Sequence, residues 1–341
     1  MSLMQRLFLP KREKMQRLPL ERGPQIVVLG GGTGLSVLLR GLKRYTSNIT
    51  AIVSVADDGG SSGRLRGEYG ILPPGDLRNC MVALSSTENV MEKVFNYRFN
   101  KGELAGHNLG NILITALADI TGSFENAIRE VSSVLAIQGK VLPSTLENIV
   151  LEADLEDGSK VRGETNISQT RQRILRVRMI PENPRPLNEA IQAIREAEAI
   201  VLGPGSLFTS VIPNLLVPGI VEAIHQSAAL KIYVCNIMTQ PGETRGYSAN
   251  DHLQAILGHS LPDLVQIMLV NDSLIPADQM EKYLREGTEM VYVDKDKILG
   301  SSVELISGEL YQDRGYIRHD PDKLSRMIIE CLYTNLKDRL R

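Results

Sequence analysis

Short apolar runs alternate with stretches of helical spacing over most of the chain, a pattern typical of a parallel α/β sheet. The first run, QIVVL at 25–29, precedes an amphipathic stretch at 35–45 and a second apolar run, ITAIVSVA, at 49–56. Two buried strands joined by a helix form a parallel crossover unit, because parallel neighbours need a long connection. The same alternation returns after residue 187 and runs through EMVYVD at 289–294.

The middle of the chain has a different pattern. Apolar and polar residues alternate through NIVLEADLEDGSKVRGE around Asp157-Gly158, which indicates a β-hairpin. The following RILRVRMI is positioned to extend this small antiparallel sheet. The sequence therefore predicts an α/β fold over residues 25–341: a Rossmann-like, mostly parallel sheet with flanking helices and a small antiparallel hairpin insert near 146–180.

The amino-acid composition excludes some classes of protein. The 341 residues are enough for one large domain or two smaller ones, and 43% hydrophobic residues support a full core. The formal charge of −2 gives no electrostatic reason to expect nucleic acid as a partner. The three cysteines lie far apart without C-x-x-C spacing, so neither a disulfide framework nor a zinc site is predicted.

The first 24 residues are predicted to be a flexible tail. They are basic in part, but their apolar piece is too short and interrupted for a signal peptide. No stretch approaches the ~18 consecutive apolar residues that a membrane span requires. We therefore expect a protein of the reducing cytoplasm with no membrane span.

Two glycine-rich turns follow predicted strands and are candidate phosphate sites. They contain Gly31, Gly32, Thr33 and Gly34 in GGGTG, and Gly203, Gly205 and Ser206 in LGPGS. A helix start offers unpaired N–H groups and a positive dipole end, and glycine lets an anion approach the backbone. The first turn does not match G-x-G-x-x-G cleanly, so a tight turn that binds nothing is the alternative, and Ser206 could simply cap its helix. Two such turns suit a diphosphate or nucleotide sugar better than a lone anion.

Asp57 and Asp58 end the second predicted strand. A pair of carboxylates there can hold Mg²⁺ together with phosphates, and one carboxylate can bind a ribose; an acidic turn exposed to water is the alternative. A long loop at 57–76 follows, and Asp76 is expected to cap the next helix.

Further polar residues are candidates for ligand contacts. They are Arg64 and Arg78 as phosphate clamps, His107 and Asn108 at a helix start, Thr239 and Gln240 after a strand, and Arg318 just ahead of the last helix. Surface ion pairs and local caps would give the same pattern. Because ligands of an open α/β sheet sit beyond the carboxyl ends of its strands, the loops at 30–36, 57–76, 203–206 and 239–246 should face one crevice.

Six ordered segments, GGGTGLSVLLRGLK, ADDGGSSGRLR, PPGDLRNC, GHNLGN, GPGSLFTS and NIMTQPGET, closely resemble the gluconeogenesis-factor (YvcK-like) family. This family is a branch of the CofD-like superfamily that includes 2-phospho-L-lactate transferase, and the resemblance runs from about residue 25 to residue 335. It implies a cytoplasmic protein with a role in cell shape and wall synthesis during growth on gluconeogenic carbon sources. It also implies binding of UDP-N-acetylglucosamine, with Tyr283 and Arg318 matching the residues implicated for that ligand.

The transferase branch of the superfamily implies a different activity. It moves a phospholactyl group from a guanosine diphosphate donor to a deazaflavin, with Mg²⁺ held by acidic residues that resemble Asp57 and Asp58. Here the sequence departs from the transferase pattern after that pair. The leading hypothesis is therefore a nucleotide-sugar-binding regulator, with Mg²⁺ as its expected ion and no tightly bound organic cofactor. A Mg²⁺-dependent transferase of a phosphoester group is the alternative. Whether the chain catalyses a reaction stays open, as does its oligomeric state, for which a homodimer is one option.

Overall fold

The computed structural model describes residues 19–86, 89–313 and 316–339. The first 18 residues of the predicted tail therefore lie outside the described part of the chain. Its strands are β1 (Ile26–Gly30), β2 (Ile49–Val53), β3 (Lys140–Pro143), β4 (Val150–Leu155), β5 (Lys160–Arg162), β6 (Ile174–Ile180), β7 (Ala199–Leu202), β8 (Leu230–Val234), β9 (Ile267–Asn271), β10 (Glu304–Gly308), β11 (Tyr311–Asp313) and β12 (Ile317–His319).

Helices connect these strands and cover the sheet. They are α1 (Gly32–Leu42), α2 (Gly60–Tyr69), α3 (Gly75–Leu84), α4 (Asn89–Asn96), α5 (Leu109–Thr121), α6 (Phe124–Val134), α7 (Glu164–Gln169), α8 (Asn188–Glu196), a π-helix (Leu207–Val211), α9 (Ile212–Leu215), α10 (Ile220–Gln226), α11 (Ala249–Gly258), α12 (Ala277–Arg285), α13 (Lys295–Leu299) and α14 (Pro321–Arg339).

The predicted parallel sheet is confirmed and contains seven strands in the order β10-β9-β8-β7-β1-β2-β3. Strand β1 lies inside the sheet, and its residues Ile26–Leu29 are at most 2% exposed. The chain first adds β2 and β3 on one side of β1, then returns to place β7 on the other side. The strand order thus reverses between β1 and β7, which is where ligands bind in open α/β sheets.

The antiparallel insert is also confirmed. Strand β4 pairs with both β5 and β6, and buried and less buried residues alternate along β4 because only one of its faces packs on the core. The turn between β4 and β5 contains Gly158 at a φ of +82°, a backbone conformation that glycine adopts without strain.

Three local predictions are wrong. The stretch at 57–76 is not an extended loop, because residues 60–69 fold as α2 despite their glycines and serines. Asp76 does not cap the next helix: α3 begins one residue earlier, and the Asp76 side chain binds elsewhere. The run EMVYVD makes only isolated bridges, and the sheet edge is β10 instead.

Among the described residues, no single helix is long and apolar enough to cross a membrane. Only the pair Leu207–Leu215 and Ile220–Gln226, bent by 72°, reaches that length and composition together.

Helix α1 packs between the sheet, α3 and the C-terminal helix α14. Its contact with α14 requires a residue without a side chain at Gly41. A Cβ there would lie 2.1 Å from the Pro321 carbonyl oxygen and 2.2 Å from Ser325 Oγ. Since Ser325 is fully buried, neither helix has room to move aside locally.

We expect Gly41→Ala to lower the free energy of unfolding by about 3 kcal/mol, because the added methyl group overpacks the contact between α1 and α14. Urea unfolding followed by circular dichroism measures this change. The control is Gly67→Ala in α2, where a Cβ meets no atom within 4 Å and alanine should stabilise by about 0.5–1 kcal/mol. Equal effects of the two substitutions would contradict the proposed packing.

Candidate functional site

The two glycine turns face each other at the point where the strand order reverses. A Cβ placed on Gly34 would lie 2.8 Å from the Pro204 carbonyl oxygen, so this close approach depends on a glycine in the first turn of α1. Gly32 has a φ of +65°, which also favours glycine. Between the turns lies a cleft of about 200 Å³, here called the glycine cleft, lined by Gly31–Gly34, Val37, Pro204–Ser206, Asn236–Met238, Gln240 and Ile317–His319.

The loop after β8 forms the third side of the glycine cleft. Asn236 Nδ2 donates to the Gly205 carbonyl oxygen at 2.9 Å, while its Oδ1 accepts from the Gly205 amide at 3.4 Å. Gln240 Nε2 donates to Ser206 Oγ at 2.9 Å. Ser206 therefore contacts the neighbouring loop and does not cap the following helix with its side chain. Sequence reasoning missed Asn236, although it directly follows a buried strand as the other candidates do.

Strand β12 brings Arg318 to the cleft. The Tyr283 hydroxyl accepts a hydrogen bond from the Ile317 amide at 2.6 Å, so Tyr283 supports the strand next to Arg318. The Arg318 side chain is exposed, and its Cζ lies 5.8 Å from the centroid of the Tyr316 ring. On the far side, Asp320 Oδ1 accepts hydrogen bonds from the first amides of α14, the arrangement usual for an Asp-Pro helix start. Tyr283 and Arg318 thus lie together although they are far apart in sequence.

Beside the first turn lies a group of three carboxylates. Asp76 Oδ2 accepts a hydrogen bond from the Gly32 amide at 2.6 Å. Burial is the main cause, and the charge of Asp57 the second, that raises the pKa of Asp76 to about 6. Burial and the charges of Asp57 and Asp76 also raise the pKa of Glu164, whose protonated form donates a hydrogen bond to Asp57. Glu164 comes from the hairpin insert and carried no signal in the sequence.

The two carboxylates of the predicted pair, Asp57 and Asp58, have different hydrogen-bond partners. Asp57 Oδ1 accepts from the Gly59 amide at 2.9 Å, on the side of Glu164 and Asp76. Asp58 Oδ1 instead accepts from the amide and the hydroxyl of Thr165 at 2.9 and 2.7 Å, and so holds the start of α7. Within the described ranges, no three His, Cys, Asp or Glu side chains are arranged to hold a metal ion.

Four further candidates surround the N-terminus of α5 and do not line the glycine cleft: Arg64, Arg78, His107 and Asn108. Asn108 caps α5 by accepting from the Asn111 amide at 3.1 Å. The buried Arg78 donates through Nη2 to Asn79 Oδ1, and burial lowers its pKa to about 10.

The other members of this group make local contacts. His107 Nδ1 lies 3.3 Å from Ser61 Oγ, and Arg64 Nη2 donates to the Ala105 carbonyl oxygen at 3.0 Å. Thr239 precedes the cleft residue Gln240 but is itself buried. Its hydroxyl accepts a hydrogen bond from the Glu289 amide at 2.9 Å and is therefore already used within the protein.

Comparisons with known proteins agree with this architecture. A family model described as 2-phospho-L-lactate transferase CofD matches residues 26–311. A gluconeogenesis factor of Halalkalibacterium halodurans is 51% identical over 307 residues, covering 89% of this chain and 95% of the relative. The gluconeogenesis factor of Bacillus subtilis is 48% identical over 311 residues, covering 91% and 98%. A crystal structure of a UPF0052 family protein from Bacillus halodurans has a TM-score of 0.88 at 50% identity, covering 90% of this chain and 99% of that one.

The raised pKa of Asp76 predicts a pH-dependent stability. The folded protein keeps a proton on Asp76 up to about pH 6, whereas the unfolded chain releases it near the ordinary pKa of 3.8. The free energy of unfolding should therefore fall as pH rises through this window, by roughly 2–3 kcal/mol for this one group. Asp76→Asn keeps an acceptor for the Gly32 amide and removes that fall.

Urea unfolding at pH 4, 5, 6 and 7 tests this expectation. The exposed Asp119 in α5 supplies the matched control, Asp119→Asn, whose profile should parallel that of the unsubstituted protein. Parallel profiles for all three proteins would show that Asp76 ionises in the folded protein as it does in the unfolded chain.

Proposed function

We propose that this chain, which belongs to the 2-phospho-L-lactate transferase CofD family, binds a nucleotide sugar in the glycine cleft. The ligand we expect is one such as UDP-N-acetylglucosamine, and its binding makes the protein a regulator. The observation that carries this proposal is the convergence of both glycine turns and Arg318 on one cleft. Its volume of about 200 Å³ is below the ~300–1,000 Å³ of most small-molecule pockets. The cleft therefore suits the diphosphate, with the base and the sugar extending along its walls.

The chemistry of the lining supports a diphosphate ligand. Helix α1 has eleven residues and directs its positive dipole end at the cleft, where glycines leave the backbone accessible to an anion. Arg318 adds a planar, positively charged set of donors that matches phosphate oxygens. Through its bond to the Ile317 amide, Tyr283 acts in this proposal as a positioning residue for Arg318.

We extend the proposal to the cellular role. The relatives from Bacillus subtilis and Halalkalibacterium halodurans are named gluconeogenesis factors. A regulator that binds a sugar nucleotide in the cytoplasm would link growth on gluconeogenic carbon sources to cell shape and wall synthesis. In this role the bound ligand changes the state of the protein and is not consumed.

Mg²⁺ is the ion that we expect with this ligand. Mg²⁺ prefers oxygen ligands and is usually held by one or two carboxylates together with phosphates, so it does not need a cage of three protein side chains. Asp57 suits this role because its side chain is hydrogen-bonded to Glu164 beside the first glycine turn, where a cation would meet two carboxyl groups. The bound ion would neutralise phosphate charge beside the carboxylates. The same carboxylates favour the second candidate function, Mg²⁺-dependent transfer of a phosphoester group.

Arg318→Ala should weaken binding of UDP-N-acetylglucosamine by about ten- to more than a hundredfold, because a hydrogen bond to a charged group contributes roughly 1.5–3 kcal/mol. Isothermal titration calorimetry measures the affinity, and circular dichroism checks that the variant is folded. Arg195→Ala in α8, an exposed arginine away from the cleft, should bind normally. Failure of the unsubstituted protein to bind any nucleotide sugar would refute the proposed function. Normal binding by folded Arg318→Ala would refute only the role of Arg318.

Mg²⁺ should tighten binding of UDP-N-acetylglucosamine by about tenfold or more relative to EDTA, and Asp57→Asn should remove most of that gain. The same titrations measure both effects. Asp58→Asn is the comparison: a retained gain assigns the ion to Asp57 alone, and a lost gain assigns it to both carboxylates. Identical affinities with Mg²⁺ and with EDTA in the unsubstituted protein would contradict a metal at this position.

A further inference from the structure

Two hydrogen-bond acceptors in the lining of the glycine cleft lack a partner among the described residues. They are Gln240 Oε1 and His319 Nε2, and both are shielded from bulk water. Buried polar atoms are nearly always hydrogen-bonded in folded proteins, and leaving one unpaired costs free energy. Donor groups on a ligand bound in this cleft would supply the missing partners of both atoms.

Neighbouring contacts fix both atoms as acceptors. Gln240 Nε2 donates to Ser206 Oγ, which orients the amide and leaves its oxygen as the unpaired atom. The His319 ring hydrogen-bonds to the Cys235 backbone, and because Nε2 is unpaired, Nδ1 is the nitrogen that donates. Burial lowers the pKa of His319 to about 4, so the ring is neutral at pH 7 and Nε2 keeps its lone pair.

The kind of ligand follows from this chemistry. An inorganic phosphate or diphosphate presents mainly oxygen acceptors, and lone pairs on Gln240 and His319 do not attract it. A nucleotide sugar carries hydroxyl donors next to its phosphates, on the ribose and on the sugar.

We infer that Gln240 and His319 accept hydrogen bonds from hydroxyl groups of the bound nucleotide sugar, and so select a glycosylated or ribosylated diphosphate over inorganic diphosphate. This inference rests on the proposed function. It assigns the two residues to recognition of the ligand beside its phosphates, whereas the glycine turns and Arg318 bind the phosphates themselves.

The test compares two cleft variants, His319→Phe and Gln240→Met, with two matched controls elsewhere in the fold. His252 is also buried, also hydrogen-bonds through Nδ1 to a backbone carbonyl, and also has an unpaired Nε2. Gln279 likewise has an unpaired Oε1. Neither residue lines the cleft, so His252→Phe and Gln279→Met reproduce the chemical change without touching the proposed site.

Calorimetric titrations use UDP-N-acetylglucosamine, UDP, 2′,3′-dideoxy-UDP and inorganic diphosphate as probes. Each cleft variant should bind UDP-N-acetylglucosamine about five- to tenfold more weakly than the unsubstituted protein, with unchanged affinity for inorganic diphosphate and unaffected controls. A loss that extends to UDP but not to dideoxy-UDP identifies the ribose hydroxyls as the donors. A loss confined to UDP-N-acetylglucosamine identifies the sugar hydroxyls.

Two results would overturn the inference while leaving the proposed function in place. One is unchanged binding of UDP-N-acetylglucosamine by folded cleft variants when Arg318→Ala does weaken it. The other is an equal loss of affinity for inorganic diphosphate. Absence of any UDP-N-acetylglucosamine binding by the unsubstituted protein overturns both. Thermal melting establishes which variants are folded, and if His319→Phe is not, Gln240→Met at the half-buried loop position still decides.

Discussion

The absence of a side chain at Gly34 allows the first turn of α1 to touch the backbone at Pro204, and the rest of the candidate site depends on this contact. It joins the two halves of the sheet at the point where the strand order reverses. Asn236 then binds both backbone groups of Gly205 and fixes the second turn relative to β8. A larger residue at position 34 would push the two turns apart.

Three carboxyl groups lie beside the same turn and repel any anion that approaches it. Asp76 accepts a hydrogen bond from the Gly32 amide. This amide is one of the groups at the start of α1 to which an anion would otherwise bind. The charge of Asp57 helps to raise the pKa of Asp76, and the charges of Asp57 and Asp76 help to raise the pKa of Glu164, so an arriving phosphate would meet negative charge. Protons reduce that charge in the free protein. A cation that accompanies the phosphates would reduce it in a complex, which is the physical reason for linking Mg²⁺ to the nucleotide.

Features that depend on residues close together in the sequence could be predicted from it, and features that depend on tertiary contacts could not. The buried strands and the Asp157-Gly158 hairpin depend on neighbouring residues, and both are confirmed. Helix α2 was missed because its glycines and serines favour a loop locally, whereas packing against α5 orders it. Glu164 could not be found because only the folded insert brings it to Asp57. Position after a strand predicts ligand contacts for Thr239 and Gln240 alike, yet Gln240 lines the cleft whereas the Thr239 hydroxyl accepts a hydrogen bond from the Glu289 amide.

The two parts of the proposed site come from different parts of the chain. The glycine turns lie within residues 26–311, the portion that matches the transferase family model. Arg318 and His319 lie on β12, beyond that portion, and β12 is held to the rest of the protein by Tyr283 and by a small apolar cluster that includes Ile237 and Ile317. Because these contacts are separate from those that join the glycine turns, residues on β12 can change without disturbing the backbone of those turns. In the proposed complex, that backbone and Arg318 would contact the diphosphate, while His319 on the same strand would contact the group attached to it.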